Sequence, residues 1–327
     1  MQPQIVLAPF HGITQKNYRN AYARHFPALD QVYAPFISGV NPEKLNPSKF
    51  ADVVPLHENP VSTVPQFVSI NSDEIVAMAN YLEQQGYDHI NWNMGCPFSR
   101  LANKMRGCGL LPYPDKIRSL LDSIMPRIGI KLSIKMRLGY KSPQELEHVM
   151  PVLNDYPLHL LILHPRIGSQ LYKGEVNLEG FEMARQTTRL PLAYNGDIYH
   201  AQRFEELKKQ FPDIHTWMIG RAALINPFLA AEIKGLVLSD GEKRVRLKAF
   251  HDEIAAGAFE GKARLGFLKS LWYYMSGLFA DGAQYFSEIK VCQSSADYYR
   301  AAERLLEQDF AGAQAHEHYF RHVLKHV

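Results

Sequence analysis

A cysteine at the end of a strand-like segment is the residue of this sequence best placed for chemistry. Bulky and polar residues alternate over residues 88–94, as in a half-buried strand that includes Asn93. Gly95 and Pro97 end any regular extension, so Cys96 falls on a bend where a thiol can face a ligand. The alternative is a small buried hydrophobe, because free cysteines are among the most buried residues. The local residues favour this alternative, and the rest of the chain favours chemistry.

The elements that must position this cysteine follow an alternating pattern. Eight strand-like segments alternate with helical patterns before about residue 220, which is typical of a parallel α/β barrel. The predicted strands are Ile5–Ala8, Gln31–Pro35, Val64–Ser69, His89–Asn93, Leu132–Lys135, Leu158–Leu163, Leu192–Tyr194 and Trp217–Ile219. Predicted helices include Asp73–Gln85, Pro114–Met125 and Pro143–Leu153, with Ser72 and Ser142 as N-caps and Gly86 as a C-cap. The proline-rich residues 38–63 are predicted to be irregular.

In such a barrel the functional site lies where the strands end, so the residues that follow them are the candidates. They are largely polar or compatible with a phosphate: Pro9, Phe10, His11, Gln66, Asn93, Cys96, Lys135, His164, Arg166, Asn195, Gly196, Asp197, Gly220 and Arg221. The glycines and the arginine after strands seven and eight suit a phosphate-tailed cofactor. Gln66, Lys135 and His164 could line the rest of it. Each residue taken singly also has a structural explanation, as a turn or as a core hydrogen-bonding group.

The chain changes character after Arg221, where strand patterns stop and a helical pattern runs on to the C-terminus. We therefore predict a barrel domain over residues 1–238 and a smaller all-helical domain over residues 239–327. The helical domain contains three cations among aromatic residues, namely Lys262, Arg264 and Lys269. This combination suits nucleic acid, because cations meet phosphates and rings stack on bases. The alternative is a helical bundle whose aromatic stripe is core and whose lysines are solvated, because acidic and basic residues balance over the domain.

Composition excludes several classes of protein. The chain has 327 residues, of which 46% are hydrophobic and 21% charged, and no run approaches the ~20 apolar residues of a membrane span. Three cysteines with no paired spacing argue against a disulfide framework and against a zinc site, so we expect no metal and a reducing cytoplasm. A net charge of +3 permits a polyanionic partner without requiring one. We expect a soluble monomer.

Five motifs occur together along the barrel region. They are Asn93-Met-Gly-Cys-Pro97, Lys135-Met-Arg-Leu-Gly139, His164-Pro-Arg166 followed by Gln170-Leu-Tyr-Lys-Gly-Glu175, Asn195-Gly-Asp-Ile198 and Met218-Ile-Gly-Arg-Ala222. In this order they resemble the tRNA-dihydrouridine synthases. The resemblance implies a (β/α)8 TIM barrel that carries FMN and reduces uridines of tRNA to 5,6-dihydrouridine with electrons from NADPH.

The resemblance also implies a role for each candidate. Cys96 would be the proton donor to C5 of uracil, after a hydride from N5 of FMN reaches C6, and Asn93 would help to place the base. Apart from the resemblance, we expect Arg166, Lys262, Arg264 and Lys269 to contact RNA. FMN would be held by Pro9, Phe10, His11, Gln66, Lys135, His164, Asn195, Gly196, Asp197, Gly220 and Arg221. A thiol suits proton donation because it is mostly protonated at neutral pH yet able to give up its proton.

Two other functions stay open at this point. One is a flavin-dependent barrel that acts on a free small molecule, which would have no use for the basic and aromatic segment 262–274. The other is a non-catalytic relative that binds RNA without turnover, because Phe10 and Pro165 depart from the usual residues of the family.

Overall fold

The computed structural model describes residues 2–257 and 261–323. Its strands are β1 Gln4–Leu7, β2 Gln31–Tyr33, β3 Thr63–Val64, β4 Gln66–Phe67, β5 His89–Met94, β6 Lys131–Gly139, β7 Leu161–Ile167, β8 Leu192–Asn195 and β9 Thr216–Ile219. Its α-helices are α1 Lys16–His25, α2 Ser72–Gln84, α3 Ser99–Ala102, α4 Pro114–Ile124, α5 Glu145–Asn154, α6 Leu178–Thr187, α7 Ala201–Gln210, α8 Arg221–Ile225, α9 Leu229–Ile233, α10 Asp240–Ala256, α11 Gly261–Met275, α12 Gly282–Val291, α13 Ser295–Leu306 and α14 Ala313–His318, followed by a π-helical turn Tyr319–Val323.

The nine strands form one sheet in the order β3-β2-β1-β9-β8-β7-β6-β5-β4. Its two outermost strands, β3 and β4, are separated in sequence only by Pro65, so both ends of the sheet belong to one extended segment. This segment pairs in parallel with β2 on one side of Pro65 and with β5 on the other. A proline lacks the N–H needed for a ladder, which suits the point where a strand changes partner. The sheet is therefore a nearly closed parallel barrel, and the predicted fold class is confirmed.

The chain divides into two compact units, and each unit combines segments that are not contiguous in sequence. We call them unit 1, with Met1–Asp30, Asp197–Asp213 and Ile219–Val327, and unit 2, with Gln31–Gly196 and Ile214–Met218. In unit 1, Phe26 and Phe250 pack with ring centres 4.9 Å apart, which joins α1 to α10. The predicted domain boundary at residues 238 and 239 falls between α9 and α10 and stays a prediction.

Most of the predicted elements are present, and their ends differ for local reasons. The N-cap of α2 is Asn71 and not Ser72, because the Asn71 side chain accepts hydrogen bonds from two backbone amides of the first turn. Helix α5 begins at Glu145 and is not capped by Ser142. The Glu145 carboxylate instead accepts from the backbone amides of residues 140–142, so these stay outside the helix.

The C-cap residue of α2 is Gln85 and not Gly86. Gly86 follows it with φ of +90°, a backbone region in which glycine is favoured. Residues 38–62 are irregular apart from two short 3-10 turns, at Pro47–Phe50 and Leu56–Glu58, and Thr63 begins β3. After Ile219 the described residues contain helices and no further strand. None of the helices in residues 2–257 and 261–323 combines the length and the apolarity needed to cross a membrane.

Candidate active site

A chain of buried amide side chains runs between neighbouring strands of unit 2. Asn93 Nδ2 donates to Gln66 Oε1 at 2.7 Å, and Gln66 Nε2 donates to Asn91 Oδ1 at 2.8 Å. Asn91 Nδ2 in turn donates to Ser133 Oγ at 2.8 Å. The parallel registers produce this chain, because Gln66 lies opposite Asn91 and Asn91 lies opposite Ser133. Both ends of the Gln66 amide are thus engaged by its neighbours, and the orientation of Asn93 is fixed.

Asn93 shapes the turn that carries Cys96. Its Oδ1 atom accepts from the backbone N–H of Gly95 at 3.0 Å and of Cys96 at 2.9 Å. On the other side of the turn, Arg137 Nε donates to the Gly95 carbonyl at 3.0 Å. The Cys96 carbonyl accepts from the backbone N–H of Cys108 at 3.1 Å. The backbone on either side of the thiol is therefore fixed by side chains and by a second segment of chain.

Gly107 makes a close approach to this turn possible. Its φ of +57° lies in the left-handed region, and a Cβ atom at this position would lie 2.5 Å from the Cys96 carbonyl oxygen and 3.1 Å from Cys96 Cβ. A side chain would therefore push directly against Cys96. The sequence analysis did not single out Gly107, because the need for glycine arises from a contact across the fold.

The thiol of Cys96 is 9% exposed and packs with Val68, Leu101 and Phe36. Burial raises the pKa of the Cys96 thiol, and a hydrogen bond from the Phe98 backbone and the charges of Arg137, Arg100 and Lys135 offset part of this rise. The thiol is thus protonated at neutral pH. A proton donor must be in its protonated form.

Lys135 lies half-buried in unit 2, one strand away from Cys96. Its register partner across the parallel pair is Asn93. Burial lowers the pKa of Lys135 to about 7, and the nearby positive charge of Arg137 acts in the same direction. Among the residues that the structure describes, no carboxylate pairs with this ammonium. A desolvated amine without an acidic partner is a group that readily stabilises negative charge on a ligand.

Arg137 is a functional candidate to which the sequence analysis assigned no role. It is 2% exposed, and besides Gly95 its Nη1 atom donates to the carbonyls of Ile167 at 2.9 Å and Leu171 at 2.6 Å. Its guanidinium carbon lies 5.3 Å from the ring centre of Tyr172. Arg137 therefore joins the Cys96 turn to the segment after β7. Its sequence signals are its place in the Lys135-Met-Arg-Leu-Gly139 motif and a charged residue between the apolar Met136 and Leu138.

The remaining candidates of unit 2 lie at the ends of β7 and β8. Arg166 Nη1 lies 3.2 Å from His164 Nε2, and Arg166 Nη2 donates to the Gly174 carbonyl at 2.6 Å. Both residues are buried. Asn195 is also buried and donates from Nδ2 to the Met218 carbonyl at 2.9 Å, and Gly196 follows it. The unit thus brings together Gln66, Asn93, Cys96 and Lys135, and holds His164 and Arg166 as a second pair.

Unit 1 contains the other candidates for cofactor binding. Arg221 Nη2 lies 3.4 Å from Asp197 Oδ1, and its guanidinium carbon lies 4.4 Å from the ring centre of Phe320. Asp197 has φ of +46°, and Gly220 directly precedes α8. Pro9 and Phe10 are half-buried and His11 is exposed, and the Phe10 ring packs on Tyr274 at 5.5 Å between ring centres.

The helical candidates for RNA contact are in different environments. Lys262 is exposed and Arg264 is half-buried. The ammonium of Lys269 donates to the Cys292 carbonyl, so this cation is already engaged. Trp272 is fully buried and donates from Nε1 to the Tyr298 hydroxyl at 2.8 Å. The aromatic stripe is core at Trp272 and at Tyr274, as in the alternative interpretation.

The fold defines the class of protein as a parallel α/β barrel with a helical C-terminal region. A solved structure of a morphinone reductase mutant in complex with tetrahydroNAD shares the barrel, with a TM-score of 0.50 and 12% identity over 72% of this chain and 88% of that chain. A model described as "Dihydrouridine synthase (Dus)" matches residues 6–309. The chain therefore belongs to the dihydrouridine synthase family and is an enzyme, an oxidoreductase.

Curated relatives agree with this assignment. The tRNA-dihydrouridine synthase B of Pasteurella multocida is 25% identical over 241 residues, which cover 73% of this chain and 71% of that protein. The enzyme of the same name from Yersinia pestis is 27% identical over 233 residues, covering 70% and 71%. The one from Escherichia coli K12 is 25% identical over 236 residues, covering 72% of both chains.

Proposed function

We propose that this protein reduces uridine to 5,6-dihydrouridine in tRNA, with FMN as cofactor and NADPH as electron donor. The observation that carries the proposal is the Cys96 turn, whose backbone is fixed on both sides around a buried, protonated thiol. Membership of the dihydrouridine synthase family and the names of the curated relatives support the same substrate.

The residues of unit 2 fit a flavin because they offer hydrogen-bond donors and a cation without an acidic partner. When bound, FMN would supply a hydride from N5 to C6 of the uracil ring. The ammonium of Lys135 is suited to hold negative charge on the reduced ring, since burial removes competing water. We assign the cofactor to Gln66, Lys135, His164, Asn195 and Gly196 of unit 2. The cofactor roles predicted from the sequence for Pro9, Phe10, His11, Asp197, Gly220 and Arg221 stay predictions.

Cys96 completes the reduction. Hydride addition at C6 moves the electrons of the C5–C6 double bond onto C5. These electrons form the new C–H bond at C5 with a proton from the Cys96 thiol. The thiolate that remains takes a proton from solvent. Asn93 acts mainly by holding the backbone of Cys96 in place, because its Oδ1 atom is taken up by the turn. One N–H of its amide is committed to Gln66, and we propose that the other helps to place the uracil.

The test is Cys96→Ala, assayed with NADPH and a native tRNA that lacks dihydrouridine. We expect the variant to keep its flavin absorbance and its oxidation of NADPH, because the thiol acts only after the flavin is reduced. Dihydrouridine should fall by about a hundredfold or more, in line with loss of a general acid. Cys292→Ala, which removes a half-buried thiol in unit 1, is the control and should keep wild-type yield. Wild-type product from Cys96→Ala would contradict the role of Cys96.

A further inference from the structure

The segment that follows Cys96 leaves the active-site turn and returns to it. We call residues 97–107 the Cys96 loop. It begins next to Cys96, and after it the backbone N–H of Cys108 bonds to the Cys96 carbonyl at 3.1 Å. Within it, Leu101 packs in the same apolar cluster as Cys96. Whatever touches the outside of this loop is therefore held close to the thiol.

The outside of the Cys96 loop carries one aromatic ring and three cations. Phe98 is 44% exposed, and it is the only exposed phenylalanine among residues 2–257 and 261–323. Arg100 and Lys104 are exposed and lie four residues apart, and Arg106 is half-buried. The Nε atom of Arg106 is buried and has no hydrogen-bond partner among the described residues. A buried donor left without a partner is costly unless a ligand satisfies it.

The charge of this loop is not balanced locally. The sequence contains no aspartate or glutamate from residue 89 to residue 114. Within residues 2–257 and 261–323, none of the three cations of the loop forms an ion pair. Some other cations of unit 2 do, such as Arg118 with Asp155, Arg127 with Asp73 and Lys131 with Asp88, at 2.8 to 2.9 Å, whereas the exposed Lys44 and Lys141 form none either in the described part of the chain. What distinguishes the loop is that three unpaired cations lie within a stretch that contains no acidic residue, and this arrangement suits a negative ligand from outside.

We propose that the Cys96 loop binds the tRNA nucleotides that adjoin the target uridine, an inference that rests on the proposed function. Arg100, Lys104 and Arg106 contact phosphates, and the Phe98 ring stacks on a flanking base. A base must leave its stack to reach a thiol that is 9% exposed, so the neighbouring nucleotides come to rest on the surface around it. Exposed aromatics among unpaired cations match single-stranded RNA in both charge and shape.

The test compares two triple variants of the flavin-loaded protein. The first is Arg100→Gln, Lys104→Gln and Arg106→Gln, and the matched control is Arg118→Gln, Arg127→Gln and Lys131→Gln. Binding of a fluorescent tRNA transcript is measured by anisotropy over a series of KCl concentrations, without NADPH so that no turnover occurs. We expect the slope of log K against log salt to become shallower by about two to three units in the loop variant, and the control to match wild type.

The stacking part is tested separately at Phe98. Phe98→Leu should weaken tRNA binding by about fivefold or more, because a base loses its stacking partner, and Phe98→Tyr should restore it. Should Arg106→Gln disturb folding, the double variant of Arg100 and Lys104, both exposed, should still flatten the salt slope by about one to two units.

Two results would overturn the inference. If the wild type forms dihydrouridine while the loop variants keep its affinity and salt slope, tRNA binds elsewhere. If the loop variants keep tRNA affinity but raise the KM for NADPH, the loop serves the phosphates of the electron donor instead. Failure of the proposed function has a different signature, since the wild type itself would then hold no flavin or form no dihydrouridine.

Discussion

The Cys96 loop and helix α11 both combine cations with aromatic side chains. In the Cys96 loop the ring of Phe98 is exposed and the cations form no ion pairs among the described residues. In α11 the ring of Trp272 is fully buried against Tyr298, and Lys269 is engaged by a backbone carbonyl. The same residue types thus build a surface in one region and a core in the other. Composition alone does not distinguish a surface from a core, whereas the packing of the side chains does.

Gly107→Ala is the change with the largest expected effect in this comparison. A methyl group there would lie 2.5 Å from the Cys96 carbonyl, so the turn and its thiol must move. We expect about a hundredfold slower formation of dihydrouridine, because small displacements of a reacting group are costly, with NADPH oxidation kept.

Gly266→Ala is the matched control in α11. A methyl group at Gly266 meets nothing within 4 Å, so activity should stay unchanged. Alanine in place of glycine inside a helix should raise the free energy of unfolding by about 0.5 to 1 kcal/mol, measured by urea denaturation. Equal activity of the two variants would mean that the contact of Gly107 with Cys96 does not control the thiol.

The sequence predicted the parts of the site that depend on neighbouring residues. The bend at Cys96 follows from Gly95 and Pro97, and the strand before it follows from alternation. Arg137 was given no role because its contacts are with the carbonyls of Gly95, Ile167 and Leu171, which are brought to it by the fold. The division of one predicted strand into β3 and β4 also depends on pairing, since each side of Pro65 has a different partner.

The helical region also depends on contacts that the local sequence does not predict. Lysines and aromatics at close spacing fit an RNA surface and a bundle core equally well. Packing identifies Trp272 as a core residue, because it lies against His251 and donates to the Tyr298 hydroxyl. The same hydroxyl lies 2.8 Å from His251 Nε2. These three residues are distant in sequence, so their meeting had no local signal.

Lys135 sharpens the comparison, because it is a half-buried cation whereas Lys262 of α11 is exposed. Burial lowers the pKa of Lys135 to about 7, while a lysine in an unfolded chain has a pKa near about 10.4. Between these values the unfolded chain binds more protons, so the free energy of unfolding rises with pH. We expect this rise, measured on the flavin-free protein by urea denaturation from about pH 7 to about pH 9, to be smaller in Lys135→Met.

Lys262→Met is the control for this experiment and should keep the wild-type pH dependence, because its side chain is exposed. The same dependence in wild type and Lys135→Met would show that the ammonium of Lys135 is well solvated. It would then be a poor candidate for stabilising charge on a bound ring.

The smallest expected effect belongs to the triple change Lys262→Ala, Arg264→Ala and Lys269→Ala in α11. Flavin content and NADPH oxidation should stay as in the wild type, because none of the three residues is assigned to the cofactor. The slope of log K for tRNA against log salt should become shallower by about one unit, because Lys269 donates to the Cys292 carbonyl and Lys262 is the exposed cation of the set. The loop variant at Arg100, Lys104 and Arg106 should lose two to three times as much of the slope. A reversal, with the larger loss in α11, would make the helix the main phosphate-binding surface and the cations of the Cys96 loop a solvated face.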